Sequence, residues 1–259
     1  MHSLRALSAL RDNYIWTLSD AASGGALVVD PGEAQPVLDV LAREHLKLTA
    51  ILLTHHHVDH TGGVAELATH FPAAEIIAPH DERIEGATRR VGDGERVDLA
   101  APAARFEVLE VHGHTRSHIA YYGEGLVFCG DTLFSLGCGR VFEGTPAEML
   151  ASLDRLASLP GDTRVCCAHE YTLANAAFAR TVEPENAALA KRTAAARELR
   201  ARNVPTVPAV LDEELAANPF LRVDAISDAQ MPWPPNAHPS RRRVDRFAAL
   251  RLAKDHFRA

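Results

Sequence analysis

Four times along this chain an apolar, strand-like run ends in histidine or aspartate. Leu48–Leu53 leads into Thr54-His55-His56-His57-Val58-Asp59-His60. Arg105–Val111 leads into His112-Gly113-His114-Thr115, Gly125–Cys129 into Gly130-Asp131-Thr132, and Arg164–Ala168 into His169-Glu170-Tyr171. One such event is noise. Four point to a layered fold in which loops at strand ends converge on one mouth.

The first cluster carries the most chemistry. His55 and His57 are two apart, so in extended backbone their imidazoles point the same way. Asp59 and His60 follow a turn and can face a second point nearby. Imidazole with carboxylate suits zinc, iron or manganese, and two metals can share such a loop. A His-rich tract can also be a purification tag or a loose metal-binding tail. Here it is internal, follows a strand signal, and precedes Gly62-Gly63 and the apolar-periodic Val64–Phe71. His56 should point away and receives no metal role.

Composition narrows the partners. The 259 residues suit one large domain, or a large and a small one. A hydrophobic share of 47% permits a substantial core. With 34 acidic against 27 basic residues the net charge is -7, which argues against non-specific nucleic-acid binding. No apolar run approaches the roughly 18 residues of a membrane-spanning helix. The start, MHSLRALSALRD, lacks the apolar stretch of a signal peptide. Cys129, Cys138, Cys166 and Cys167 have no framework spacing and read as reduced residues of a cytoplasmic protein.

Residues 1 to about 170 alternate strand and helix signals and predict a mixed α and β architecture. The expected strands are Asn13–Ser19, Ala26–Asp30, Leu48–Leu53, Glu75–Ala78, Arg105–Val111, Ile119–Tyr122, Leu126–Cys129 and Arg164–Ala168. The expected helices are Glu33–His45, Val64–Phe71 and Thr145–Ser158. Thr145 and Glu148 form a capping-box pattern, with Pro146 at the first helical position. Beyond His169 the segments Leu173–Thr181, Asn186–Arg202, Leu211–Ala217 and Val244–Phe257 read as helical, with prolines between them. A boundary is therefore expected near residue 170. It divides a catalytic domain, 1–170, from an α-helical substrate-binding domain, 171–259. Arg241-Arg242-Arg243 reads as a solvated face.

The cluster at residues 54–60, with His114, Asp131 and His169, resembles the metallo-β-lactamase superfamily. Further segments narrow the resemblance: Asp12-Asn13-Tyr14-Ile15-Trp16, Val28-Val29-Asp30-Pro31-Gly32, Gly130-Asp131-Thr132-Leu133-Phe134, Gly137-Cys138-Gly139-Arg140, Phe142-Glu143-Gly144-Thr145, His169-Glu170-Tyr171-Thr172 and Asn218-Pro219-Phe220-Leu221-Arg222. Together they are similar to glyoxalase II, the hydroxyacylglutathione hydrolases, over essentially the whole chain. The resemblance implies an α+β fold, an αββα sandwich with a helical C-terminal domain. It implies that His55, His57 and His114 hold one divalent metal and that Asp59, His60 and His169 hold a second. Asp131 would bridge them. Zinc is the first expectation, with iron or manganese compatible. A metal-bridging hydroxide, oriented by Asp131, would attack the thioester of S-D-lactoylglutathione. The products would be glutathione and D-lactate, the second step of methylglyoxal detoxification. A thiolate whose conjugate acid has a pKa of about 8.5 leaves without strong acid catalysis.

Recognition of this anion needs cations in a protein that is acidic overall. Arg140 is expected to contact the glutathione moiety. Arg251 and Lys254, three residues apart on one helical face, would do the same. Without the resemblance they read as solvated charges of an amphipathic helix. Tyr171 is a candidate hydrogen-bond donor to the peptide. Two departures from the family pattern stand out. Phe142 replaces a frequent Tyr and removes one hydroxyl contact, and Ser117 stands where Gly is common. His118 is either an orienting neighbour of the ligands or a strand histidine satisfied by its surroundings.

A glutathione-persulfide dioxygenase with one iron shares the histidine pattern but lacks the long helical C-terminal part. A lactone or β-lactam hydrolase is a further superfamily option. Nuclease relatives need a basic groove that this acidic chain does not offer. A non-enzymatic metal-binding or glutathione-sensing module fits poorly with a complete two-metal ligand set. Monomer is the default oligomeric state.

Overall fold

The computed structural model describes residues 2–235 and 239–258. By backbone contacts the chain divides into two compact units. One runs to Glu110 and includes Ser117–Gly130; the other comprises Val111–Arg116 and the residues from Asp131 onward.

The first unit holds strands β1 (His2–Ala9), β2 (Asn13–Asp20), β3 (Gly25–Val29), helix α1 (Gln35–Glu44), β4 (Lys47–Leu52), helices α2 (Val58–Thr61) and α3 (Val64–His70), and β5 (Glu75–Pro79), β6 (Arg89–Val91), β7 (Arg96–Ala100), β8 (Ala103–Glu110), β9 (Ile119–Gly123) and β10 (Leu126–Gly130). β1 to β6 form one sheet in chain order. Its first three strands are antiparallel and the pairs from β3 to β6 are parallel. β7, β8, β9 and β10 are successive antiparallel neighbours of a second sheet.

Alternation along the buried strands separates two core layers. Ile15, Val28 and Ile51 join Val37, Val40 and Leu41 of α1 and Leu67 of α3 in one cluster. Their strand neighbours face the second sheet: the Trp16 ring lies 6.5 Å from that of Phe128. The Tyr121 hydroxyl crosses between the sheets and donates to the carbonyls of Leu53 (3.0 Å) and Ile77 (3.1 Å). Helix, sheet and sheet are thus stacked within this unit. β1, β6 and β7 were not expected from the sequence. Each lies at a sheet edge, where partial exposure blurs the hydropathy pattern.

The second unit holds the hairpin β11 (Leu133–Phe134) and β12 (Gly137–Cys138), helix α4 (Pro146–Ala157), β13 (Arg164–Cys167), α5 (Thr172–Val182), α6 (Ala187–Ala201), β14 (Ala209–Val210), α7 (Leu211–Ala217) and α8 (Arg243–His256). The capping box of α4 forms, with the Thr145 side chain accepting from the Glu148 N–H and the Glu148 side chain accepting from the Thr145 N–H. The four helices expected after His169 are present within a residue or two of their expected ends. Leu136, Ala176, Ala179, Leu189 and Ala217 form a small core shared by the β11–β12 turn, α5, α6 and α7. No helix among the described residues is long and apolar enough to cross a membrane.

Candidate metal centre and substrate pocket

Each unit carries a group of ligand residues. In the first, β4 ends at Leu52 and the chain turns through Thr54 to His57 before α2 starts. The turn is held from outside itself. Asp30, in left-handed backbone at φ 52° after β3, accepts from the Thr54 N–H (2.8 Å) and hydroxyl (2.7 Å). The same carboxylate lies 3.1 Å from Nδ1 of His60. Asp30, His55 and His60 bring one donor atom each within 4.8 Å of one another.

Nε2 of His55 lies 3.0 Å from Nδ1 of His57. Two imidazole nitrogens on one tetrahedral zinc, at about 2.0–2.1 Å each, stand roughly 3.3 Å apart, so this separation fits a shared ion. The neighbouring pair, Nε2 of His60 and Oδ2 of Asp59, is 3.6 Å apart. Asp59 is fixed by Asn13, whose amide donates to its carboxylate at 3.0 Å. His118 is fully buried and stacks on the His55 ring at 4.6 Å. Nδ1 of His56 lies 3.4 Å from Asp81. Arg83 and Ser117 also donate to Asp81, and the Arg83 guanidinium holds that carboxyl well below its ordinary range.

In the second unit the organising group is Asp131, which follows directly on β10 and is 8% exposed. Its two oxygens face two imidazoles, with Oδ2 3.4 Å from Nε2 of His114 and Oδ1 3.4 Å from Nε2 of His169. Nδ1 of His114 sits 2.9 Å from the Arg140 carbonyl. A carbonyl only accepts, so Nδ1 carries the proton and Nε2 of the neutral ring presents a lone pair. That lone pair and a carboxylate oxygen then face each other, and a cation between them resolves the repulsion. The same holds at His60, where an Nδ1–H directed at Asp30 leaves Nε2 as the donor atom. The donor set fits divalent ions in both halves. Gly139 is obligatory beside it, because a Cβ there would lie 1.9 Å from the Asp131 carbonyl.

Next to Asp131 opens a cavity of about 480 Å³ lined by Phe134, Arg140, Phe142, Tyr171, Arg251 and Lys254 among others. That volume falls in the usual range for small-molecule sites. Three cations face one cavity in a chain of net charge -7. They differ in use. Arg251 is buried and largely engaged: it donates to the Cys138 carbonyl (2.8 Å) and to Asp255 (3.0 Å), and stacks 5.2 Å over Phe220. Arg140 is exposed and approaches Asp255 at 3.7 Å. Lys254 forms no ion pair among the described residues; burial, then the nearby Arg251 and Arg140, pull its ammonium below the usual lysine range. Tyr171 stacks on His169 at 4.7 Å. Phe142, 61% exposed, lies against the His114 ring.

All four cysteines are buried, and none forms a disulfide among the described residues. Burial raises the Cys138 and Cys166 thiols and pushes that of Cys167 up to about 12. None of these three is a ready thiolate nucleophile. Asp30 and Asn13 lie within recognisable motifs, but the sequence alone assigns neither a role. The left-handed Asp-Pro-Gly turn at a strand end was the available signal.

Residues 16–169 match the model of the metallo-beta-lactamase superfamily, and residues 170–257 match that of the hydroxyacylglutathione hydrolase C-terminus. The chain is 56% identical over 259 residues to a hydroxyacylglutathione hydrolase of Xanthomonas campestris pv. campestris, covering 99% of both chains. It is 54% identical over 222 residues to one of Xylella fastidiosa, covering 86% of this chain and 84% of that one. Among solved structures, the BLEG-1 B3 metallo-beta-lactamase superposes with a TM-score of 0.62 at 23% identity, over 85% of this chain and 99% of that chain. TTHA1623 in a di-iron-bound form has a TM-score of 0.54 at 27% identity, over 64% of this chain and 91% of that chain. The expected α+β architecture, a metallo-β-lactamase αββα sandwich with a helical C-terminal part, is the fold. With the two family models matching adjoining stretches of the sequence and a relative aligned over 99% of it, the chain belongs to the hydroxyacylglutathione hydrolase family of the metallo-β-lactamase superfamily.

Proposed function

We propose that this chain hydrolyses S-D-lactoylglutathione and related 2-hydroxyacyl glutathione thioesters, releasing glutathione and D-lactate in methylglyoxal detoxification. The carrying observation is Asp131, with an imidazole on each carboxylate oxygen, at the edge of a cavity lined by three cations. His55, His57 and His114 would hold one divalent ion and Asp59, His60 and His169 the other, with Asp131 available to both. Zinc suits this set; iron and manganese are accepted by the same ligands. Bound divalent ions supply Lewis acidity to the carbonyl and lower the pKa of water in the site toward neutrality.

The protein's own groups do the rest. Asp59, steadied by Asn13, and Asp131 accept hydrogen bonds from the attacking water and orient it. Lys254 and Arg140 take the carboxylates of the glutathione moiety. Arg251 shapes the wall through its bond to Cys138 and adds positive potential. Tyr171 donates its hydroxyl to the peptide. The acyl carbonyl is thereby held beside Asp131, and the thiolate departs without a general acid. In this reading the enzyme is a cytoplasmic monomer whose partner is a small molecule, neither nucleic acid nor membrane.

The test is hydrolysis of S-D-lactoylglutathione by the purified protein, followed by loss of thioester absorbance, with metal content determined on the same sample. Turnover that is lost with chelator and restored by metal supports the reading. No turnover with two metals bound overturns it.

A further inference from the structure

Glu214 on α7 is fully buried, yet it belongs to no part of the chemistry above. Its oxygens accept from the Ser135 hydroxyl (2.7 Å), the Leu136 N–H (2.7 Å) and the Asn218 amide (3.1 Å). A buried carboxylate is expensive unless hydrogen-bonded and compensated. Here the compensation comes from Arg192 of α6, which donates to the Ser135 hydroxyl (3.1 Å) and the Thr206 carbonyl (2.6 Å). Burial still raises the Glu214 carboxyl.

The bonds to Ser135 and Leu136 converge on the turn between β11 and β12. Asn218 donates to the carbonyls of Phe134 (3.1 Å) and Gly137 (3.0 Å), and Asn175 of α5 to that of Ser135 (3.1 Å). The turn places Leu136, a fully buried non-glycine residue, at φ 59°. An L-residue enters the left-handed region only at a conformational cost, so the surroundings must hold it there. Gly137 is packed so closely that a Cβ would lie 2.4 Å from the Asn175 amide. This turn therefore does not hold itself; side chains of the C-terminal helices hold it.

Both strands of the hairpin line the substrate cavity, through Phe134 and Cys138. The Phe134 ring meets His169 at 5.8 Å and Tyr171 at 5.2 Å. The Cys138 carbonyl holds the Arg251 guanidinium. A shift at Leu136 is transmitted along two-residue strands to both walls.

We infer that Glu214 is a positioning residue for substrate binding: with Asn218 and Arg192 it clamps the 134–137 turn and so sets the cavity wall that receives the glutathione moiety. The inference rests on the hydrolase reading above for the identity of the ligand, but not for the clamp itself.

Glu214→Gln keeps the volume and replaces one accepting oxygen by a donor, leaving a donor in the turn unmatched. The variant is compared with wild type by kinetics on S-D-lactoylglutathione, by calorimetric titration with glutathione, by metal content, and by amide exchange of residues 133–139. KM and the glutathione dissociation constant should rise about tenfold, less than the roughly hundredfold that a 1 Å misplacement from a distant change can cost. Values of kcat and metal content should stay within about twofold, and the Leu136 amide should exchange faster. Ser135→Ala removes a hydroxyl bonded to both Glu214 and Arg192 and carries the test if Glu214→Gln does not fold; a smaller rise of the same kind is expected. Unchanged KM and unchanged Leu136 exchange overturn the proposal. So does a kcat that falls with the folded fraction while KM stays constant. A wild type that binds glutathione without hydrolysing the thioester defeats the hydrolase reading instead, and glutathione affinity and exchange then still decide the clamp.

Discussion

Asp30 Oδ2 stands 3.1 Å from Nδ1 of His60 while also accepting from the Thr54 hydroxyl. One carboxylate thus sets the tautomer of an imidazole and pins the turn that carries His55 and His57. Partners of this kind commonly decide how tightly a site holds metal. Asp30→Asn should lower metal affinity about 10–100-fold with the fold retained. Competition with a chelator, alongside far-UV circular dichroism, reads this. Wild-type metal retention would show that Asp30 serves only the turn.

His57→Ala and Asp131→Ala should each reduce kcat/KM by at least about a thousandfold, since in the proposed centre each would remove a ligand that no neighbour replaces. Thioester hydrolysis with metal content measured on the same preparation checks this. Wild-type rates at full metal loading would remove both residues from the site.

Lys254→Met should raise KM for the anionic thioester about 5–10-fold with little change in kcat, because it removes uniform binding. The pH dependence has a definite sign. The lysine is cationic below its pKa, and burial with Arg251 and Arg140 nearby lowers that pKa from the ordinary 10.5. KM of the wild type should therefore climb as pH rises, before 10.5 is reached, and this climb should be absent in Lys254→Met. Kinetics across the alkaline range decide it. Point substitution is the right tool, since deleting residues 241–259 would also strip the buried Phe247 and Leu250.

Asp81 is held ionised by Arg83 first, with Ser117 also bonded to it. A carboxyl depressed in the folded state adds stability that is complete above its unfolded pKa and lost as pH falls toward the folded one. Asp81→Asn should cost about 1–2 kcal/mol at neutral pH, and the gap to wild type should narrow as pH drops below the ordinary 3.8. Urea unfolding at neutral and acid pH tests both the size and the direction.

Much of the site was legible in residue order because its chemistry is local. Each candidate ligand follows a strand, in the loop after it or, for Asp59 and His60, on the short α2, and buried strands announce themselves through runs such as Leu48–Leu53. Helices after His169 were legible for the same reason, from composition and proline spacing. The edge strands β1 and β6 were not, because half-exposed residues mute the hydropathy signal. Nor was the β11–β12 hairpin, with strands only two residues long and a turn built on Leu136 rather than glycine.

The sequence by itself determined which residues can bind metal, which segments can be buried, and the family pattern they compose. Only the tertiary structure decided what those residues face. Asp30 reaches His60 across 30 positions, and Glu214 reaches Leu136 across 78. The physical reason is that propensity and hydropathy are properties of neighbours along the chain. A tautomer, a buried charge and a left-handed turn are settled by partners that only chain reversal brings within hydrogen-bonding distance. The division of labour among Arg140, Arg251 and Lys254 arose in the same way. Three cations equivalent in composition became one exposed, one engaged with a backbone carbonyl, and one without an ion pair among the described residues.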